Sequence, residues 1–168
     1  MENGVRSNGR TQAILAGGLA VSVLDGANAL VAYKLVYGMS PLAIYQFVAS
    51  GLLGQEAFAG GARTALLGVL VHFAIAFAAA AVFVLASERL PQLRSHALAW
   101  GLGYGLVVFA VMSFVVTPLS RMPPSTPTLA LLLDGVIGHA LLVGLPIALA
   151  ARHYLGRSAT PVLAGATA

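Results

Sequence analysis

Long apolar stretches separated by short polar links dominate the chain. Four of them are long enough to cross the ~30 Å hydrocarbon core of a bilayer at a helical rise of ~1.5 Å per residue. They cover about residues 13–36, 62–86, 96–117 and 128–151. Continuous apolar runs of this length predict an all-α polytopic membrane protein. We therefore expect a four-transmembrane-helix bundle that forms one integral membrane domain over residues 1–168.

A shorter apolar segment lies between the first two stretches. Ser40 and Pro41 predict a helix start, because the hydroxyl caps a free backbone N–H and proline occupies a position that needs no donor. Gly54 predicts its end. The resulting helix over residues 41–53 is about 20 Å long, which is too short to span a membrane. We expect it at the membrane interface or partly inside the mouth of the bundle.

The two ends of the chain are polar or rich in small residues. Residues 1–12 and 156–168 are predicted to be flexible tails. A cleaved signal peptide is the alternative for residues 1–29, because Arg6 and Arg10 precede an apolar run and Ala27-Asn28-Ala29 fits a cleavage site. The apolar character resumes through Ala32, which favours a membrane span.

The composition agrees with a lipid environment. The chain is 59% hydrophobic and 8% charged, whereas a soluble domain carries about 25% charged residues. It has no cysteine, which excludes disulfides, thiolate metal sites, iron–sulfur clusters and thiol nucleophiles. The net charge of +4 does not indicate nucleic acid as a partner, because the cations flank the apolar stretches.

The distribution of these cations predicts orientation. One side of the membrane would hold six, Arg6, Arg10, Arg89, Arg94, Arg152 and Arg157. The other side would hold three, Lys34, Arg63 and Arg121. The cation-rich side is cytoplasmic by the positive-inside rule. Four spans require both ends on one side, so both termini are expected in the cytoplasm.

A few polar residues interrupt the apolar stretches, and they are the candidates for a ligand or proton site: Asp25, Asn28, His72, Ser113, Asp134 and His139. The helical rise places them in the middle-to-outer half of the membrane. An ionised carboxylate at the bilayer centre costs at least ~2.5–3.5 kcal/mol, so it should face the interior and find a partner. We expect Asp25 to form a charge-assisted hydrogen bond with His72 or His139.

Structural roles are open for the same residues. Asp134 fits helix capping or interface solvation, and Asp25 fits a protonated or hydrogen-bonded core residue. Each histidine fits a satisfied core position.

Cofactor binding is a further alternative, although no cofactor is our main expectation. His72 and His139 suit ligation of haem b, and these two with Asp25 and Asp134 suit a divalent metal such as zinc or manganese. The spacing gives neither strong support, because no two of these ligands lie three or four residues apart on one helix. The sequence contains no H-E-x-x-H or G-x-S-x-G motif and no nucleotide-binding loop, so we do not expect an enzyme.

Several short motifs resemble those of a known family. They are His72–Phe77, Ala86–Pro91, Thr117–Leu119, Pro123–Pro124 and Ile137–His139 with Arg152. Together they resemble the YagU-like family of small bacterial inner-membrane proteins over about residues 13–155. The stretch from Ser40 to Gly54 is similar to one in a wider group of bacterial four-span proteins. The resemblance implies a four-span topology and the bacterial inner membrane, and it implies no reaction, because that family has no established molecular activity.

The functional hypothesis is a small, non-enzymatic inner-membrane protein whose Asp/His cluster interacts with a proton, an ion or a small ligand. The lipid bilayer is the expected environment, and a homo-oligomer or a membrane-complex partner is compatible with it. One alternative is a structural accessory subunit of a membrane complex. The other is a haem- or metal-binding membrane protein.

Overall fold

A computed structural model describes the backbone of residues 2–157 and the side chains of residues 8–156. All regular structure in this part of the chain is helical. The α-helices are α1 (Glu2–Tyr37), α2 (Pro41–Leu53), α3 (Gly61–Arg89), α4 (Gln92–Ser95), α5 (Ala97–Val111), α6 (Thr117–Leu119), α7 (Leu129–Gly138) and α8 (Leu145–Arg157). A 3₁₀ helix covers Gly54–Ala59, and two π-helical segments cover Met112–Val116 and His139–Gly144.

Four continuous helical stretches are long and apolar enough to cross a membrane. They are span one (Asn8–Tyr37), span two (Gly61–Arg89), span three (Ala97–Leu119) and span four (Leu129–Gly156). The last three begin within one residue of their predicted starts. The prediction of an all-α chain with four such helices is therefore confirmed for the described residues.

The N-terminal segment differs from its prediction. Helix α1 begins at Glu2, so residues 2–12 continue the helix and do not form the separate flexible tail that their polarity predicted. Extending an existing helix by one residue is far easier than nucleating a new one. The Arg10 Nε also donates to Glu88 Oε1 at 2.9 Å, which ties this segment to the end of α3. Of the predicted C-terminal tail, residues 156 and 157 continue α8, and residues 158–168 lie outside the described part.

Small side chains bring the helices together. Span one packs against both span two and span four, and span three packs mainly on span four. A Cβ at Gly101 would lie 2.8 Å from the Ala148 methyl group, and one at Gly105 would overlap the His139 carbonyl. Span three therefore approaches span four closely at Gly101 and Gly105. In lipid, where no hydrophobic force drives helices together, such backbone proximity supplies the packing energy.

Each π-helical segment ends two residues before a proline. The N–H of Thr117 donates to the Met112 carbonyl just before Pro118, and the N–H of Leu145 donates to the Ala140 carbonyl just before Pro146. A proline ring clashes with the carbonyl four residues earlier and supplies no N–H. Widening the preceding turn to i→i+5 bonding accommodates both effects and keeps the two spans continuous.

Helix α2 has the predicted bounds. The Ser40 hydroxyl accepts a bond from the Ala43 N–H at 3.3 Å, Pro41 is the first residue, and Gly54 ends the helix at φ +67°. The helix packs along α3, where the Tyr45 carbonyl occupies the space that a Cβ on Gly68 would need. Its C-terminal end is also held, because the Arg121 N–H donates to the Gly51 carbonyl at 2.9 Å.

A buried glutamine fixes α2 to the turn that follows it. Gln46, only 4% exposed, directs its amide nitrogen at the carbonyls of Phe58 and Gly61 and at the Thr64 hydroxyl, at 3.1–3.4 Å. The Thr64 hydroxyl donates to the Ala57 carbonyl at 2.6 Å. These bonds satisfy polar backbone groups of the turn. They position α2 beside the candidate site described next.

Candidate functional site

Asn28 and Asp134 form a hydrogen-bonded link between span one and span four. The Asn28 Nδ2 donates to Asp134 Oδ1 at 3.2 Å and to Oδ2 at 3.1 Å, and both side chains are half-buried. Gly138, one turn after Asp134, makes room for the amide, since a Cβ there would lie 3.2 Å from Asn28 Nδ2. The capping role considered for Asp134 belongs to Thr128, whose hydroxyl accepts the Leu131 N–H at 3.3 Å.

Asp25 lies one helical turn before Asn28, on the same face of α1. It is half-buried. Among the residues that the structure describes, no side chain or backbone N–H forms a hydrogen bond or ion pair with its carboxylate. The predicted bond from Asp25 to His72 or His139 is therefore wrong, because both imidazoles are engaged elsewhere.

His72 connects span two to span one through the backbone. Its Nε2 lies 3.1 Å from the Ser22 carbonyl oxygen, to which it must donate because a carbonyl only accepts. Gly26 permits this approach, since a Cβ there would lie 3.2 Å from the same nitrogen. Ser22 in turn donates its hydroxyl to the Gly18 carbonyl at 2.8 Å. His72 is thus a packing residue with a partner on span one, and it lies next to Gly26, the residue that follows Asp25.

His139 points to its own helix. Its Nδ1 donates to the Gly135 carbonyl at 2.8 Å, and its ring meets the Phe109 ring edge-on with centroids 5.5 Å apart. It stands at the start of the second π-helical segment. His139 therefore packs at the seam between spans three and four and does not join the carboxylates.

Ser113 is also separate from the carboxylates. It lies in the first π-helical segment, which packs mainly on the neighbouring turns of span three. Of the six candidates, the structure bonds Asn28 to Asp134, and Asp25 lies one turn before Asn28 on the same face of α1. His72 meets α1 at Ser22 and Gly26. We call Asp25, Asn28 and Asp134 the carboxylate cluster.

Two tyrosines near this cluster were not among the sequence candidates. The Tyr33 hydroxyl is within electrostatic range of Asp25 and Asp134, and its ring packs on Phe47 with centroids 5.8 Å apart. Helical spacing did not point to Tyr33, because it lies five residues after Asn28 and only residues three or four apart face each other. Tyr45 could not be found from spacing either, because its hydroxyl would lie 3.5 Å from a Cβ on Gly26 only where α2 packs beside α1 and α3.

The alternative metal and haem sites do not assemble. Within residues 8–156, no three His, Asp or Glu side chains converge as metal ligands, so the set His72, His139, Asp25 and Asp134 is not a site. A haem held by two histidines needs both rings to face one cavity. Here one ring donates to span one and the other to its own helix.

Comparisons of the chain with protein-family models, with curated proteins and with solved structures find no match. The functional argument therefore rests on the carboxylate cluster itself.

Proposed function

We propose that the chain is a multi-pass protein of the bacterial inner membrane, with four spans and both termini in the cytoplasm. The four long apolar helices and the six-to-three distribution of cations support this topology. Helix α2 would then lie at the outer mouth of the bundle, since it follows the outer end of span one. The resemblance to the YagU-like family belongs to the same proposal.

Within this protein, the carboxylate cluster interacts with a proton or a small cation and carries out no catalytic reaction. The observation that carries the proposal is the Asn28–Asp134 bond, with a second carboxylate, Asp25, one turn away. The ion pair formed by described side chains, Arg10–Glu88, is remote from the cluster at the other end of the helices. Carboxylates in hydrocarbon need a proton or a cation to offset their charge. The cluster receives no cation from the side chains described here.

This proposal assigns the exchange to the two aspartates alone, whereas the sequence suggested a cluster that also included His72 and His139. His72 contributes by holding span two against span one beside Asp25, and His139 contributes to packing elsewhere. The exchangeable charge belongs to Asp25 and Asp134, and Asn28 orients one of them.

Proton exchange by the purified full chain tests this proposal. The protein is reconstituted in lipid nanodiscs in weakly buffered solution, and proton release is followed with an indicator dye while Na⁺ or K⁺ is added. We expect release from the wild type and from the control Glu56→Gln, whose carboxylate is exposed outside the cluster. We expect none from the double variant Asp25→Asn/Asp134→Asn. Equal release from wild type and double variant contradicts the proposal.

A structural subunit is the second candidate, and span three favours it. Only 6% of its most apolar window is buried, against 22–28% in the other spans. Among the described residues, a Cβ at Gly103 meets no atom within 4 Å, so span three is uncovered at this position. A stable complex with a second copy or another membrane protein would be weakened by Gly103→Ile. Light scattering of the detergent-solubilised protein detects a complex with a second copy, and a pull-down from membranes detects another membrane protein as the partner. A monomer in the first measurement with no partner in the second contradicts this candidate function.

A further inference from the structure

The hairpin of spans three and four ends in a segment that packs less tightly than the rest of the bundle. We call residues 117–138, which comprise α6, the connecting loop and α7, the arm. We propose that the arm is a movable element, hinged at the two π-helical segments and latched to span one by the Asn28–Asp134 bond. This inference goes beyond the proposed function, because it concerns a movement of the chain and does not depend on what the carboxylate cluster exchanges.

The arm lies outside the main hydrophobic core. Among the described residues, the buried core side chains come from residues 13–21, 76–97 and 143–155. Within the arm only Leu131 and Gly138 are buried, and Leu119 is 82% exposed. A segment with few buried apolar contacts opens at a low cost in free energy. In lipid that cost is lower still, because hydrocarbon is as apolar as the side chains it replaces.

A π-helical segment and a proline lie at each end of the arm. Met112–Val116 comes directly before the arm, and Pro118 is the second residue of the arm. His139–Gly144 comes directly after the arm and is followed by Pro146. Helices bend sharply at prolines and at π-bulges, because regular backbone hydrogen bonding is interrupted there. Both spans can therefore bend where they meet the arm.

Beyond these hinges, spans three and four are packed backbone to backbone. A Cβ at Gly101 would lie 3.1 Å from the Gly144 carbonyl oxygen, and one at Gly105 would overlap the His139 carbonyl. Ile147 is fully buried. Such close-packed helices do not deform continuously. Bending is therefore confined to the arm and its hinges.

Hydrogen bonds tie the arm to other helices. Among the described residues, Asp134 accepts from Asn28 on span one, and the Arg121 N–H donates to the Gly51 carbonyl at the end of α2. Gly135 adds a packing contact, since a Cβ there would lie 2.7 Å from the Phe109 ring. The Asn28–Asp134 bond joins two side chains, so it can break without unfolding either helix. Its loss would let α7 move away from span one and would expose the facing sides of both residues.

Distances between spin labels test the movement in the full chain in lipid nanodiscs. The labels are attached through Val31→Cys on span one and Leu133→Cys on the arm, both exposed positions in a chain without native cysteine. Electron–electron double resonance then gives the distance distribution. We expect Asn28→Ala to raise the population at longer distances about 3- to 15-fold, the factor that corresponds to an interhelical bond of about 0.6–1.7 kcal/mol.

A matched pair of labels on the same two spans is the control. Leu15→Cys and Leu149→Cys lie at exposed positions in the packed half of the bundle, and their distance should not change. This pair also reports whether each variant is folded. Adding Pro146→Ala to Asn28→Ala restores a backbone donor at the hinge and should lower the longer-distance population again.

Three results would overturn the inference. Unchanged Val31–Leu133 distances in Asn28→Ala would show that the bond is no latch. Equal changes in both label pairs would show that whole spans separate. A longer-distance population that Pro146→Ala leaves unaltered would show that the chain does not bend at this hinge.

Discussion

The amide of Asn28 binds both oxygens of the Asp134 carboxylate, and this contact joins two helices separated by 106 residues of sequence. It links span one to span four. Interhelical hydrogen bonds of this kind in membrane proteins contribute about 0.6 kcal/mol on average and up to about 1.7 kcal/mol. The contact should therefore affect stability measurably.

A double-mutant cycle tests this link. We expect Asn28→Ala and Asp134→Ala each to lower the free energy of unfolding, and the double variant to lower it by less than the sum, with a coupling of about 0.6–1.7 kcal/mol. The free energies come from reversible unfolding in mixed micelles. Additive effects of the two substitutions would show that the bond does not stabilise the protein.

The two histidines should behave differently. His72 donates to span one, so His72→Ala removes a contact between helices and should lower the free energy of unfolding by about 0.6–1.7 kcal/mol. His72→Gln retains an N–H donor and should recover part of the loss. His139 donates within its own helix, so His139→Ala should weaken the association of spans one and two much less. Disulfide crosslinking between cysteines introduced in spans one and two measures their association. A larger loss of crosslinking in His139→Ala than in His72→Ala would contradict the prediction.

Two glycines form a matched pair for packing. Gly68→Ala places a methyl group where the Tyr45 carbonyl lies, and overpacking of this kind costs about 1–3 kcal/mol. Gly103→Ala meets no atom within 4 Å and should be neutral or stabilise its helix by about 0.5–1 kcal/mol. Thermal unfolding followed by circular dichroism compares the two. Equal melting temperatures would contradict the contact between α2 and α3.

The buried glutamine of α2 should be important for the turn that follows. Gln46→Leu removes the donor to the carbonyls of Phe58 and Gly61 and to Thr64, and leaving such groups unsatisfied costs about 1–3 kcal/mol. Gln55→Leu, at an exposed position in the 3₁₀ helix, is the matched control and should have little effect. Hydrogen exchange of residues 54–64 should accelerate in the first variant only. Unchanged exchange would mean that other contacts hold the turn.

The absence of native cysteine makes the orientation directly testable. We expect a cysteine at Ser125 to react with a membrane-impermeant maleimide on intact cells after access to the periplasm is opened. A cysteine at Ser95 should react only after the inner membrane is disrupted. The reverse pattern would place both termini outside the cytoplasm and contradict the positive-inside argument.

Local patterns in the sequence were sufficient for the helices. The apolar runs predicted four long helices, and Ser40, Pro41 and Gly54 predicted the bounds of α2, because each of these signals acts within one or two turns. Residues 2–12 were the exception among the described segments. Their polarity predicted a tail, but helix propagation from span one and the contact with Glu88 extend α1 to Glu2.

Partner choice within the bundle was decided only by the tertiary structure. Depth and charge in the sequence identified Asp25, Asn28 and Asp134 as candidates, but they favoured a carboxylate–imidazole bond. The rotation of each helix and the room left by Gly26 and Gly138 instead direct His72 to a backbone carbonyl and Asn28 to Asp134. Such choices depend on atoms far apart in the sequence, so residue type and spacing along one chain could not fix them.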